Sequence, residues 1–204
     1  MPTKNVFPIQ IYTANIGSKS KALNAGLLHD INVLTRTDLE GIRWSKKNYV
    51  GGYTSYNSIT DLHQRFPDFI DLEKILRPHI KKYISSLHWD LQGRKVLMTT
   101  CWVNVVPANT YHSLHIHPLS VISGTYYVKI PKGSSSLKIE DPNITKYMNS
   151  PPRKISAPST QQPYLHLQPK AGDIVLFESW MRHEVPPNKS SQDRISVSFN
   201  YEWL

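Results

Sequence analysis

From Gly93 to the C-terminus the chain is a series of short apolar-polar segments separated by turn residues. They read KVLMTTCWVNVV, HSLHIHP, VISGTYYVKIP, SSLKIED, YLHLQP, GDIVLFES, RHEVPP and RISVSFNYEW. β-Branched and aromatic residues dominate them, the composition of strands. No stretch between them reads as a helix long enough for a crossover, which parallel strands require. The strands must therefore pair antiparallel, as a sandwich or barrel. The proline-rich stretch 142–163, without periodicity, is expected to be a long loop over the barrel mouth.

The first ninety or so residues have a different texture. Leu23, Leu27, Ile31 and Leu34 recur at the spacing of one helix face, predicting a helix over 20–36 with Ser18 or Ser20 as its cap. A second stripe runs from Phe69 through Leu72, Leu76 and Ile80 to Leu87. Pro78 lies within it and is expected to kink or break that helix. Between the two lies the Gly-, Tyr- and Ser-rich stretch YVGGYTSYNS, read as a loop. The predicted architecture is one domain over 1–204: a helical layer over 1–92 packed on a mainly β barrel over 93–204.

Composition narrows the function classes. The net charge of +9 reflects 24 basic residues against only 15 acids, without a dense basic block. RWSKKNYVGGYTSY interleaves cations and aromatics, but the pattern as a whole argues against a nucleic-acid partner. No apolar run approaches the length of a membrane span. The N-terminus has no signal-peptide pattern and Cys101 is a lone thiol, so a cytoplasmic protein is expected.

The chemistry concentrates in YHSLHIHPLS, residues 111–120. In an extended strand His115 and His117 point to the same side and can share one metal. His183, beside a second strand, is the candidate third ligand. The last strand puts Arg194, Ser196, Ser198, Asn200 and Glu202 on one face. If that face lines a cavity, Arg194 offers a fork to a carboxylate.

HIHPLSVISGTYYVKIP, GDIVLFESWMRHEVPPN and RISVSFN together resemble the 2-oxoglutarate/Fe(II)-dependent oxygenases, in particular a family with an H-x-H-P…S-G-x-Y-Y-V signature. The resemblance implies a double-stranded β-helix (jelly-roll, cupin-like) core. It implies Fe(II), 2-oxoglutarate and O2 as cofactors. It also implies hydroxylation of a small-molecule or peptide substrate with release of succinate and CO2. His115 and His183 carry over as iron ligands. Arg194, a short way beyond the distal histidine, carries over as the anchor of the far 2-oxoglutarate carboxylate. Ser123, Tyr126, Ser196 and Asn200 are the further candidates for the co-substrate.

The superfamily's usual motif is H-x-D, and His117 stands where its aspartate would be. Either His117 is a third ligand, or water completes a two-histidine set. A cupin-like metal-binding module and a three-histidine zinc enzyme are the alternative functions. The helical face could also serve a homodimer.

Overall fold

The protein is described here by a computed structural model covering residues 3, 4, 6–49 and 51–204. In chain order its elements are β1 (Tyr12–Asn15), α1 (Ser20–Thr37), α2 (Leu39–Asn48), β2 (Tyr53–Thr54), α3 (Leu62–Arg65), α4 (Pro67–Leu87), β3 (Val96–Val106), β4 (His112–His115), β5 (Ile122–Lys129), β6 (Leu137–Glu140), β7 (Tyr164–Leu167), β8 (Asp173–Glu178), β9 (His183–Val185) and β10 (Arg194–Trp203). Short 3-10 turns precede α1 and punctuate the β6–β7 connection. Among the described residues no helix is long and apolar enough to cross a membrane.

The strands form two antiparallel sheets. One has the order β1-β8-β5-β10-β3-β2 and the other β4-β9-β6-β7. Apart from β2–β3 and β6–β7, neighbouring strands are not consecutive in the chain, the wiring of a double-stranded β-helix. Two strands of the larger sheet, β1 and β2, come from the N-terminal region, which sequence reading treats as helices and loops. They are four and two residues long, too short for alternation to show.

Strand alternation in the large sheet divides the core in two. Val197, Phe199 and Tyr201 of β10 join Ile122, Tyr126 and Val128 of β5 beneath Leu27 and Ile31 of α1 and Leu72, Leu76 and Ile80 of α4. Between the two sheets lies a smaller cluster of Tyr127, Leu137, Ile139, Val175, Phe177, Met181 and Val185.

Three local expectations change. No serine side chain caps α1: a 3-10 turn over 17–19 leads into it, and the Ser20 hydroxyl donates to the Gly17 carbonyl. Helix α4 runs through Pro78 without ending. That proline is exposed, so water can satisfy the carbonyl its missing N–H would have bonded. Residues 39–48, unassigned from sequence, form α2, started by Asp38, whose carboxylate accepts from the Gly41 N–H at 2.9 Å. The other Asp38 oxygen accepts from the Tyr53 and Ser58 hydroxyls, tying α2 to the loop that follows it.

Candidate active site

Strand register assembles the histidines. In the β4–β9 pair His115 stands opposite His183, with ring centroids 4.3 Å apart. Strand β4 ends at His115, so His117 belongs to the turn beyond it rather than to the same strand. The His117 N–H donates to the Ser179 carbonyl, which pins that turn against the end of β8. His117 Nε2 thereby lies 3.2 Å from His183 Nε2. One ligand nitrogen from each of the three rings falls within 4.8 Å of the others.

The ring orientations are set by backbone. His115 Nδ1 lies 2.7 Å from the Ser113 carbonyl, and His183 Nδ1 lies 2.8 Å from the Met181 carbonyl. A carbonyl only accepts, so each Nδ1 carries the proton. Both Nε2 lone pairs are left for the cluster. Burial pushes the His117 pKa down to about 2 and that of His183 to about 4, with the neighbouring histidines adding to the effect. His115 is lowered for the same first reason, desolvation. The rings are neutral, the state in which imidazole binds a metal.

The acids that lie nearby in sequence do not join them. Glu140 pairs with Arg182 at 2.8 Å, Glu184 pairs with Lys138 at 2.7 Å, and Asp141 pairs with Lys146. The cluster contains three histidines and no carboxylate. Three imidazole nitrogens suit a divalent transition metal such as Fe(II) or Zn(II). His112 stacks on His115 at 4.4 Å and 18° and is not one of the three clustered ligand residues.

Behind the histidines lies a cavity lined by the polar face of β10: Arg194, Ser196 and Ser198. Arg194 is only 2 % exposed, and no carboxylate among the described residues pairs with it. Its Nε lacks a hydrogen-bond partner, as do the Tyr127 and Tyr49 hydroxyls and Asn104 Oδ1. All four groups line this one cavity. A buried cation and two buried hydroxyls without partners carry an unrecovered desolvation cost. An anion with several acceptor oxygens would satisfy them. The three unpartnered donors, Arg194 Nε and the Tyr127 and Tyr49 hydroxyls, thus fit a carboxylate of 2-oxoglutarate, and the Asn104 Oδ1 acceptor does not contribute to its binding.

The other expected co-substrate residues separate. Ser196 lines the cavity. Tyr126 does not: it points to the helical layer, where its hydroxyl donates to Asn24 Oδ1 at 2.6 Å. Alternation gives the cavity side to its neighbour Tyr127, whose ring centroid is 5.2 Å from the Arg194 guanidinium carbon. Ser123 and Asn200 are also away from the cavity lining. Ser123 Oγ donates to Asn200 Oδ1 at 2.8 Å and lies 2.7 Å from Ser179 Oγ, so these groups satisfy one another.

Tyr49 carried no sequence signal. It follows α2, and burial raises its pKa to about 12 while the Arg194 charge pulls the other way. The glycines after it are the only available clue. A Cβ on Gly52 would meet the Tyr49 ring at 2.7 Å and the Val105 carbonyl at 2.8 Å. Gly52 therefore lets Tyr49 lie against β3, over the cavity.

On the open side of the histidines is a groove of about 360 Å³. Trp44, Tyr56, Trp102 and Tyr111 wall it, and His115 and His117 lie at its base. Tyr56 and Trp102 meet edge to face at 5.1 Å. Trp102 is buried and also borders this groove.

Residues 100–200 match the family model described as "Putative 2OG-Fe(II) oxygenase". The chain belongs to the 2-oxoglutarate/Fe(II)-dependent oxygenases. The oxygenase uses Fe(II), 2-oxoglutarate and O2. Its fold is shared by a prolyl-4-hydroxylase from Pseudomonas putida at 13 % identity and TM-score 0.63, covering 95 % of this chain and 92 % of that one. The α-ketoglutarate-dependent epimerase SnoN of nogalamycin biosynthesis is similar at 12 % identity and TM-score 0.66, over 95 % and 76 % of the two chains. HygX from Streptomyces hygroscopicus, solved with nickel and 2-oxoglutarate bound, is similar at 10 % identity and TM-score 0.62, over 95 % and 83 %. No curated protein sequence matches the oxygenase closely enough to count as a relative.

Proposed function

We propose that the oxygenase hydroxylates a C–H bond of a small-molecule or peptide substrate held in the aromatic groove. One O2 and one 2-oxoglutarate are consumed, giving succinate, CO2 and the hydroxylated product. The observation that carries this reading is the single cavity shared by three neutral imidazoles and the unpaired Arg194.

His115, His117 and His183 hold the iron, which when bound supplies the activation of O2. Neutral ligands leave the full double charge of Fe(II) uncompensated, and Arg194 adds another positive charge behind it. A dianionic co-substrate offsets most of that charge, which favours 2-oxoglutarate over monoanionic keto acids. Arg194 binds its far carboxylate, with the Tyr127 hydroxyl as a second donor and Ser196 beside them. The low exposure of these groups keeps water away from the reacting end. The groove of Trp44, Tyr56 and Trp102 directs the substrate carbon toward the histidine cluster.

A zinc hydrolase would need a general base near the metal. The sequence-adjacent acids Glu140, Asp141 and Glu184 are engaged by arginine and lysine elsewhere, which disfavours that reading. The test is an anaerobic titration of metal-free protein with Fe(II) and then 2-oxoglutarate, followed by visible absorbance. A metal-to-ligand charge-transfer band is expected, lost in His183→Ala and shifted to higher 2-oxoglutarate concentration in Arg194→Ala. Loss of the band in His117→Ala marks a third ligand. Zn(II) binding with no band under any condition overturns the proposal.

A further inference from the structure

A second groove lies on the far side of the large sheet, between the C-terminal half of α4 and residues 91–98, with a volume of about 590 Å³. None of the groove residues belongs to the histidine cavity. Its inner surface is apolar: Ile80 and Ile84 from α4 face Val96 and Met98 from β3. Leu97, on the same stretch, is 48 % exposed. Four cations line the two banks, Arg77 and Lys81 on the helix and Arg94 and Lys95 on the opposite segment. Glu73 is the only acid of the lining, and Arg77 already holds both of its oxygens at 2.9 Å. Tyr201, 3 % exposed, belongs to the groove wall, and its hydroxyl has no hydrogen-bond partner.

The bank opposite the helix is held in place. Lys95 and Leu204 exchange two backbone hydrogen bonds at 2.8 and 2.9 Å, and the Arg94 guanidinium lies 4.4 Å over the Trp203 ring. Lys81, Arg94 and Lys95 have no carboxylate partner among the described residues. An apolar trough of small-molecule size with unpaired cations on both banks is complementary to one kind of ligand.

We propose that this groove is a second binding site, for an amphipathic carboxylate with an unbranched aliphatic chain. The chain lies on Ile80, Ile84, Leu97 and Met98, and the carboxylate rests among Lys81, Arg94 and Lys95. A second copy of the protein is a poor occupant, because a two-fold contact would bring these cations against their own equivalents.

The test is calorimetric titration of the full-length protein with decanoate, decanol and decylamine, each kept below its aggregation threshold. Decanoate is expected to bind with one site, at least tenfold more tightly than decanol, with no binding of decylamine. Lys81→Glu combined with Lys95→Glu should weaken decanoate at least tenfold. Leu97→Asp should do the same, while Trp102→Ala in the substrate groove should leave decanoate binding unchanged. The Lys81, Lys95 and Leu97 substitutions leave the buried side chains of the groove in place, and circular dichroism checks the folding of every variant. Equal binding of decanoate and decanol, no effect of the double charge reversal, or loss of binding in Trp102→Ala overturns the proposal.

Discussion

Arg194 shows what a single buried charge does for this protein. It is closed off from solvent with neither an acid partner nor a bond to Nε. In the absence of an anion, that arrangement costs stability. Replacement by methionine, similar in volume and apolar, should therefore leave the melting temperature of the ligand-free protein unchanged or higher. The same replacement removes a charge-assisted hydrogen-bond donor worth about 1.5–3 kcal/mol. Affinity for 2-oxoglutarate should fall by roughly 10–100-fold. Thermal melts with and without 2-oxoglutarate, combined with the charge-transfer titration, check both halves. A lower melting temperature in Arg194→Met without ligand would mean that the arginine is structural.

At the scale of elements, the site depends on pieces that lie far apart in the chain. The β4–β9 pair sets His115 against His183, and the turn after β4 adds His117. Helix α2 supplies Trp44 and leads into Tyr49, and β2 fastens this unit to β3 through the Tyr53–Val105 register. The Ser45 hydroxyl also bridges to Thr54, donating to its carbonyl at 3.2 Å and accepting from its N–H at 3.0 Å. Gly52 lies at the tightest point of this attachment. A methyl group there collides with the Tyr49 ring and the Val105 carbonyl, and neither the strand backbone nor the buried ring moves away freely. Gly52→Ala should destabilise the fold by about 1–3 kcal/mol. It should also weaken 2-oxoglutarate binding, since Tyr49 overlies the Arg194 cavity. Urea unfolding and the same co-substrate titration measure the two effects. A stable variant with unchanged affinity would remove Tyr49 from the site.

For the whole molecule, buried histidine couples folding to pH. His63 in α3 is buried, and desolvation lowers its pKa from 6.5, with Glu73 and Asp61 opposing in part. His79 in α4 bonds to the Tyr12 hydroxyl at 2.8 Å and is lowered by burial and by Lys82. A histidine held below its unfolded pKa takes up a proton on unfolding. Its contribution to stability is complete above about pH 6.5 and is lost as the pH falls toward the folded value. The metal-free protein should therefore melt at lower temperature as the pH drops below 6.5. His63→Gln should flatten that decline, and an unchanged pH slope would show that His63 titrates alike in the folded and unfolded chain.

Much of this was legible in the chain itself. Period-two alternation identified β10 and the face that Arg194 occupies, because the register of a strand fixes every side chain along it. The 3.6-residue stripe identified α1 and α4 for the equivalent reason. The three histidines could be named because few other side chains bind metals, and their spacing brought two of them close. Tertiary structure decided the rest. Tyr126 and Tyr127 are adjacent and chemically identical, and only the packing of α1 against β5 determines which one bonds to Asn24 and which ring lies against Arg194. Ser123 and Asn200 have the right polarity and the right sheet face, yet their bonds to each other close them off. Tyr49 and α2 came without periodic signal, since their position follows from the Asp38 cap and the close approach at Gly52. Local pattern determines which residues share a face, whereas the meeting of two faces depends on contacts between residues far apart in the chain.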